Sequence, residues 1–551
     1  MEFVLLIVAV AATALLIHLT RHRALFAIIM IVGGSLLSWN LLYALPSGPY
    51  EFAGLTFALD PLLKLLILFA FAVNALLALV ALMDPAGRES VSFLYWCWVP
   101  WFFALSVDSF ALAVLVWGIG LYTLALTHAP GRAGQVGGAA HYLLIVILSV
   151  AGLLIANRFL ELYPLTPDQT NLIQVGVLFL VWALGLALAV VPFHFWLSAL
   201  AEETGLVFFT VLAGWGLTFG LWFLFELLRR FLWLSEKSNL LALLVTAGLA
   251  TTIVGGLSAA AEQRAGRWLA FASLFTLGPV LIDLGRARYD LLLNAGMGIV
   301  GRGLALALCA AGLTMFRATN QSWARAFSIG ALVFGAAALV GFPFTPAFVS
   351  SLPIWSEYAV SNPLIFVGLL SAALGVWVGA ARIAYPMIIA WRTREQPNTA
   401  RPEARPERTE GDPVEGRRTA EESGASADLG AKGMQEGGQV KSGQAGRTEE
   451  VKGDEDEADT VPTTRGAASE TYDPVQAVGE AFAKFWAWLR VLVGHSPRLL
   501  HGLLYLTANW QIVIGAFIVM ALVMTILLLG VFPTLLFDPL ASAIGQPVFL
   551  K

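Results

Sequence analysis

Apolar runs of about 20 residues, long enough for a helix to cross a bilayer core of roughly 30 Å, recur along nearly the whole chain. In lipid a helix satisfies its own backbone hydrogen bonds, so such runs fold as helices. Hydrophobic residues make up 58% of the chain and charged residues 13%, and the mean hydropathy is +0.76. These values exclude a soluble globular domain. The sequence therefore predicts an all-α polytopic membrane protein.

We predict about fourteen transmembrane helices from the positions of these runs. Pro192 interrupts the run at 172–196, and Pro343 and Pro346 interrupt the run at 326–349. The predicted spans are 2–19, 24–45, 59–83, 91–107, 109–127, 139–160, 172–196, 207–228, 239–260, 268–285, 290–315, 326–349, 362–390 and 509–535.

The orientation of the spans follows from the basic residues beside them. The first run lacks the small-residue cleavage site of a signal peptide and is followed by Arg21 and Arg23, so we expect a retained span whose C-terminal end faces the cytoplasm. The basic residues at 263–267 and 317–325 fall on the same side if every span crosses once, whereas Arg286 falls opposite. The expected location is the inner (cytoplasmic) membrane.

Composition divides the chain into four parts. Residues 1–391 form the predicted transmembrane domain, and 392–475, rich in Gly, Glu, Arg, Ser and Pro, form a charged insertion predicted to be disordered and cytoplasmic. Residues 476–508 mix aromatic and aliphatic residues with basic ones, which is typical of an interfacial amphipathic helix, although a connector packed on a neighbouring subunit fits equally well. A last transmembrane helix and a tail occupy 509–551.

Charged residues inside spans are few, and each is a candidate for an ion path because burying a charge in a membrane is costly. Asp60 and Lys64 are spaced for an ion pair on one helix face, and Glu202 and Glu203 follow the proline-containing run. Arg302 lies well inside a span; its guanidinium stays protonated, so it can gate or fix a charge but cannot relay a proton. The remaining cluster is interpreted as a solvated or interfacial group of salt bridges in a loop, and it comprises Asp283, Arg286, Arg288 and Asp290.

Prolines within apolar runs predict two broken helices, at Pro192 and at Pro343 and Pro346. Broken helices free backbone groups at membrane depth and line cavities in ion transporters. His194 adjoins the first break and is either a structural residue or a proton carrier. Cys97 and Cys309 have no CxxC spacing, so we expect neither a disulfide framework nor a metal or iron–sulfur site.

Four segments resemble the antiporter-like proton-channel subunits of respiratory complex I (the L, M and N type) and their relatives in multisubunit sodium/proton antiporters and membrane-bound hydrogenases. They are GLTFALDPL at 54–62, VVPFHFWL at 190–197, GRWLAFAS at 266–273 and GFPFTPAF at 341–348. The order and spacing of these segments carry the resemblance over roughly residues 50–390. It implies an antiporter-like inverted-repeat fold with two broken helices.

The resemblance also implies which titratable residues a channel of this family uses, and most of them are missing. The family's glutamate on the fifth helix falls at Gly118, its lysine on the broken seventh helix at Ala187, and its twelfth-helix lysine or glutamate at Ser351. The eleventh-helix lysine falls at Arg302. Because glutamate and lysine normally tune each other's pKa, their joint absence indicates a paired loss.

Two functional interpretations remain open. In the first, the chain is a membrane subunit of a complex I-like assembly associated with proton translocation coupled to electron transport. In the second, it is a non-pumping structural or docking subunit, or the membrane partner of a cation antiporter or bicarbonate uptake system. Neither interpretation places a catalytic centre or a cofactor in this chain. The expected partners are other membrane subunits and the lipid bilayer, not nucleic acid.

Overall fold

A computed structural model describes residues 2–46, 48–125, 137–165, 171–286, 289–395 and 510–544. These residues form helices and one short hairpin, β1 (Tyr50–Phe52) and β2 (Leu55–Phe57). The helices of the first half are α1 (Glu2–Thr20), α2 (Ala24–Ala44), α3 (Pro61–Ala81), α4 (Pro85–Ser90), α5 (Phe93–Trp96), α6 (Trp98–Ser106), α7 (Phe110–Ala125), α8 (Gly137–Leu162), α9 (Asn171–Ala187), α10 (Phe195–Glu203), α11 (Leu206–Val211), α12 (Leu217–Arg230) and α13 (Trp233–Lys237). Those of the second half are α14 (Leu240–Ala261), α15 (Ala265–Arg286), α16 (Tyr289–Ala318), α17 (Ser322–Val340), α18 (Pro346–Ser361), α19 (Pro363–Glu395), α20 (Trp510–Val531) and α21 (Thr534–Ile544).

The all-α membrane architecture predicted from the sequence is confirmed. Within the described ranges, 11 helices are long and apolar enough to cross a membrane, so the predicted count of fourteen is not confirmed. In the predicted span 91–107, α5 and α6 are joined at Cys97, which has helical dihedrals and continues the backbone hydrogen bonds from one to the other. The predictions for 396–475 and for the amphipathic segment 476–508 lie outside the described residues.

Both predicted helix breaks are present in the structure. The first separates α9 from α10 and contains Ala189, a non-glycine residue with a positive φ of 56°. The second separates α17 from α18 and contains Phe344, with a φ of 68°. Such backbone conformations are unfavourable for residues with a side chain and persist where the surroundings impose them.

Each break is held by specific contacts. At the first break the Thr251 hydroxyl of α14 accepts a hydrogen bond from Val191 N at 3.2 Å. At the second break α17 ends at Gly341, whose φ of 81° suits glycine, and Phe342 N donates to Ala337 O. Gly530 of α20 lies directly against the Phe344 carbonyl. Neighbouring helices therefore supply the contacts that these interrupted segments lack internally.

Helix order repeats between the two halves. A long helix (α8 or α16) precedes a broken helix (α9–α10 or α17–α18), and a further long helix follows (α11–α12 or α19). The 25-residue segment Leu206–Arg230 begins just after Glu203 and ends at the partner of Asp60, so two charged clusters lie at opposite ends of this bundle. We call them the Glu202 end, which also carries Arg264 and Arg267, and the Asp60 end, which also carries Arg229.

Small residues allow the closest helix approaches in the second half. A side chain added at Gly256 of α14 would overlap the Ala372 backbone of α19, and one added at Gly375 would overlap the Gly256 carbonyl. Without a hydrophobic driving force between helices in lipid, such close van der Waals contact is a main source of stability. The α14–α19 contact therefore depends on glycine.

We predict that Gly256→Ala lowers the thermal unfolding temperature of the purified protein by several degrees, because the new methyl group separates α14 from α19. The matched control is Gly330→Ala on α17, where nothing lies within 4 Å of the added carbon. Alanine is the better helix former by about 1 kcal/mol, so the control should be neutral or stabilising. Equal effects of the two variants in a melting experiment would show that the close approach contributes nothing.

Candidate functional site

Arg302 lies near the middle of α16, and only 2% of its surface is exposed. Its Nη1 donates a hydrogen bond to the Thr218 hydroxyl of α12 at 2.5 Å. The Thr218 hydroxyl in turn donates to Gly214 O at 2.8 Å. A guanidinium buried in a bundle core needs polar partners, because an uncompensated charge there is costly. Arg302 is therefore a fixed positive charge that joins a helix of the first half to one of the second.

A small internal cavity of about 30 Å³ lies beside Arg302. This volume holds about one or two water molecules. The cavity lies between α14, α15, α16, α18 and neighbouring helices, and its polar lining residues are Thr252, Thr276, Asp283, Arg302, Ser350 and Ser351. Most of the remaining lining is apolar.

The hydroxyl groups in this lining are oriented by their own helices. Thr252 donates to Gly248 O at 2.8 Å, Ser350 to Ala347 O at 3.0 Å, and Ser351 to Ala347 O at 2.6 Å. A hydroxyl has one donor and two acceptor lone pairs. With the donor used within the helix, each hydroxyl keeps acceptor capacity for water in the cavity.

Asp283 corrects a prediction made from the sequence. We expected it in a solvated loop cluster, but it lies on α15, is fully buried at 0% exposure, and lines the same cavity as Arg302. The nearby arginines made the segment look like a loop, whereas the helix continues to Arg286. An intramembrane carboxylate beside a water-sized cavity is a functional-site candidate. The side chains of Arg288 and Asp290 lie outside the described residues.

Arg286 and Glu357 connect this region to the protein surface. Arg286 Nη1 lies 2.9 Å from Glu357 Oε2, and the exposed fractions of the two side chains are 12% and 55%. The Arg286 guanidinium also lies 5.3 Å from the centre of the Tyr358 ring. Arg286 follows Asp283 by three residues on α15, so the two side chains share one helix face. A charged surface pair thus stands one helical turn from the buried carboxylate.

The first half has apolar packing where the family resemblance places its glutamate and lysine. A side chain at Gly118 would begin 2.8 Å from Val150 Cγ2, so a glutamate there would require the Val150 side chain to shift. Ala187 is 4% exposed at the end of α9. Beside them Trp117 Nε1 donates to Gly216 O at 3.1 Å, and its rings lie 5.1 Å from the Phe223 ring.

Three indole groups in this half remain without a hydrogen-bond partner among the described residues. They are the Nε1 groups of the fully buried Trp98, Trp101 and Trp215. An indole nitrogen only donates hydrogen bonds, so it cannot carry a proton between sites. The described helices α7 and α9 contain no Lys, His, Asp or Glu. The first half therefore offers no titratable carrier at these positions.

His194 stands at the first break, as predicted, but does not line the Arg302 cavity. Its ring lies 6.3 Å from the Phe271 ring, and the side chain is half-buried. Ser351, the position of the family's twelfth-helix charge, does line the cavity. Of the residues named from the sequence, the structure thus brings together Arg302, Ser351 and Asp283 and leaves His194 apart.

Asp60 and Lys64 do not form the ion pair that their spacing predicts. Asp60 caps α3 by accepting hydrogen bonds from Leu62 N and Leu63 N, and its Oδ2 lies 3.4 Å from Arg229. Lys64 Nζ instead donates to the carbonyls of Tyr43 and Leu45. Because Pro61 starts a helix directly after Asp60, the carboxylate turns toward the exposed N–H groups of the first turn. Burial raises the pKa of Asp60, against the opposing effect of those N–H groups and of Arg229.

A larger cavity of about 200 Å³ opens at the Asp60 end. Its charged lining residues are Asp60, Asp108, Glu226 and Arg229. Arg229 also pairs with Glu226 at 3.0 Å. The lining of this cavity therefore has three carboxylates and one arginine. The cavity lies in the first half, whereas Asp283 belongs to the second.

Glu202 and Glu203 have separate structural roles at the opposite end. Glu202 lies 2.6 Å from Arg264 Nη1 and 2.8 Å from Arg267 Nε, so it ties α10 to the start of α15. Glu203 accepts hydrogen bonds from Gly138 N and Ala139 N and so caps α8. Burial raises the pKa of Glu202, but the hydrogen bonds and charges of Arg264 and Arg267 outweigh it, so the pKa is lowered.

These features define a class: a multi-pass membrane protein with two broken helices and buried charged residues. Comparison with known proteins identifies the fold more closely. The chain is 30% identical over 210 residues to the NAD(P)H-quinone oxidoreductase chain 4-2 of Synechocystis sp.. That match covers 35% of this chain and 37% of the relative. No protein-family model matches the sequence.

Solved structures give the same result at the level of the fold. The chain matches a chain of the Mrp complex from Dietzia sp. (TM-score 0.55, 16% identity, covering 70% of this chain and 47% of that one). It matches a chain of the archaeal membrane-bound sulfane sulfur reductase (TM-score 0.57, 16% identity, covering 70% of this chain and 87% of that one). It also matches a chain of respiratory complex I from Thermus thermophilus (TM-score 0.52, 18% identity, covering 70% of this chain and 96% of that one).

The resemblance read from the four sequence motifs is thereby confirmed, and the chain has the antiporter-like fold of membrane subunits in these complexes. Identities below 20% to the solved structures show the fold and not the activity. The chain spans less than half the length of the curated relative and of the Dietzia chain that it matches.

We predict that Glu202→Gln lowers the thermal unfolding temperature at pH 7, because Arg264 and Arg267 lose their charged partner. Since the pKa of Glu202 is lowered in the folded protein, its stabilising effect is present above the unfolded value and is lost as the pH falls through the folded one. The difference between wild type and variant should therefore shrink below about pH 4. The control is Glu236→Gln at an exposed position of α13, and a difference that persists at acidic pH would contradict this explanation.

Proposed function

We propose that this chain is a membrane subunit of a multisubunit complex in which it takes part in proton translocation coupled to electron transport. The observation that supports this most directly is the shared lining of one internal cavity by Asp283 and Arg302. The fold of the relatives, whose printed names describe a quinone oxidoreductase chain and multisubunit membrane complexes, supports the assignment as a subunit.

The roles of the two charged residues follow from their chemistry. Asp283 can bind and release a proton, whereas Arg302 keeps its proton and acts as a fixed positive charge. Water in the cavity, held by the serine and threonine hydroxyls, would connect them. Arg302 would stabilise the ionised carboxylate through the cavity and repel a proton that tried to pass it. Proton exchange is thereby concentrated at Asp283.

Access to Asp283 would come from the end of α15. Arg286 and Glu357 form an ion pair there, and more than half of the Glu357 side chain is exposed. Because α15 is a 22-residue helix that starts beside Glu202, its far terminus lies at the opposite end of the bundle, together with Asp60. A proton would therefore enter or leave the second half at the Asp60 end.

The first half is the reason to keep a second candidate function. The described helices α7 and α9 have no lysine, histidine or carboxylate, and the Trp117 indole is packed beside Gly118. A subunit with that half closed fits a structural or docking role, including that of membrane partner in a cation antiporter or bicarbonate uptake system. In either case we place the complex in the inner (cytoplasmic) membrane and assign redox cofactors to other subunits.

We expect Asp283→Asn to reduce proton flux by roughly tenfold or more when the purified complex is reconstituted into liposomes and energised, since removal of a proton-transfer group costs at least that much. Arg302→Ala should also reduce flux by exposing Asp283 to a different electrostatic environment. His194→Ala should have little effect, because His194 does not line the cavity.

The control for these flux measurements is Glu236→Gln on α13, which removes a carboxylate at an exposed position. Internal pH is followed with an entrapped indicator, and each complex is checked for its full set of subunits. Unchanged flux in both Asp283→Asn and Arg302→Ala would reject a translocating role and leave the structural one.

A further inference from the structure

A π-helical turn, Leu212–Gly216, interrupts the long helix formed by α11 and α12. A π-turn accommodates one extra residue, which rotates everything after it by about 100° relative to an uninterrupted α-helix. Such turns occur often at functional sites. Here the first side chains after the turn include Thr218, the hydrogen-bond partner of Arg302.

The same turn brings α12 against α16 at the position next to Arg302. A side chain at Gly303 would overlap the Trp215 indole, so the indole rests directly on the α16 backbone. Gly214 also faces Gly303, with 3.7 Å between an added carbon and Gly303 Cα. Two glycines and an indole thus fix the separation of the two helices beside the buried guanidinium.

Thr218 is oriented by the π-turn as well as placed by it. Its hydroxyl donates to Gly214 O, inside the turn, and accepts from Arg302 Nη1. A hydroxyl whose proton is committed to a carbonyl presents its lone pairs to the guanidinium, which is a donor only. The geometry therefore selects Thr218 as an acceptor for Arg302.

We propose that Thr218 is a positioning residue for Arg302, and that the π-turn Leu212–Gly216 exists in this chain to turn Thr218 toward it. The hydrogen bond keeps the guanidinium at the boundary of the two halves. Without it, the flexible arginine side chain loses the contact that fixes its position in the cavity that it shares with Asp283. Its effect on ion movement rests on the function proposed above, whereas the positioning itself does not.

The first test measures proton flux in the reconstituted complex. Thr218→Val preserves the shape of the side chain and removes the acceptor, so flux should fall roughly tenfold, the scale on which loss of a supporting hydrogen bond reduces activity at other sites. Thr218→Ser keeps the hydroxyl and should restore most of the flux. The matched control is Thr210→Val on α11, a fully buried threonine whose hydroxyl donates to Leu206 O within its own helix.

The second test does not depend on ion movement. Thermal unfolding temperatures are measured for Thr218→Val, for Arg302→Gln and for the double variant, and the same cycle is run with Thr210→Val. If Thr218 holds Arg302, the loss in the double variant is clearly smaller than the sum of the two single losses, whereas the Thr210 cycle is additive.

The two tests separate the two proposals. Additive losses in the Thr218 cycle would overturn the positioning role. Full flux in Thr218→Val, when Asp283→Asn has lost it, would overturn the claim that this positioning affects proton movement. Coupled losses together with unchanged flux in Asp283→Asn would support the positioning role and reject the translocating function. Flux that falls in Thr218→Val and recovers in Thr218→Ser supports both.

Discussion

The rest of this structure depends on how one guanidinium is accommodated inside a membrane bundle. An arginine at the centre of a transmembrane helix costs about 3 kcal/mol to insert, even by the most favourable scales. The chain offsets this cost with a threonine from the opposite half and a water-sized cavity that hydroxyl groups line in part. Arg302 therefore lines a cavity of the second half and is bonded to the first half beside the packed Trp215 indole.

The difference between the two halves has a common physical origin in the side chains that face the breaks. In the second half, serines and threonines satisfy their donors within their own helices and leave acceptors for water around Asp283. In the first half, indole and phenyl rings are closely packed, and Gly216 and Gly220 leave room for the indoles of Trp101 and Trp117. Close packing of this kind excludes water as effectively as it excludes a charged side chain. The two repeats of the fold thus differ in the polarity of their packing around the helix breaks.

Much of the fold could be predicted from the sequence, because a bilayer permits few structures and apolar runs with proline breaks specify them. Both breaks and the burial of Arg302 agree with that analysis. Asp283 could not be placed, since the arginines after it suggested a loop and only the continuation of α15 shows it buried. The predicted Asp60–Lys64 ion pair does not form, because the Asp60 carboxylate caps α3 and lies beside Arg229 instead. The π-turn has no sequence signal, since glycine at 214 and 216 is equally consistent with an ordinary helix.

Hydroxyl-radical footprinting with short X-ray pulses tests the central claim most directly, because radicals formed from bound water modify side chains even in a protein core. The sites are read by mass spectrometry on the intact complex in lipid. Phe275 lines the cavity and is 3% exposed, and Trp117 is fully buried in the first half. Our account predicts modification of Phe275 and protection of Trp117, although an indole is the more reactive group. Modification of Trp117 with protection of Phe275 would show that the water lies in the first half instead of the second and would contradict the account.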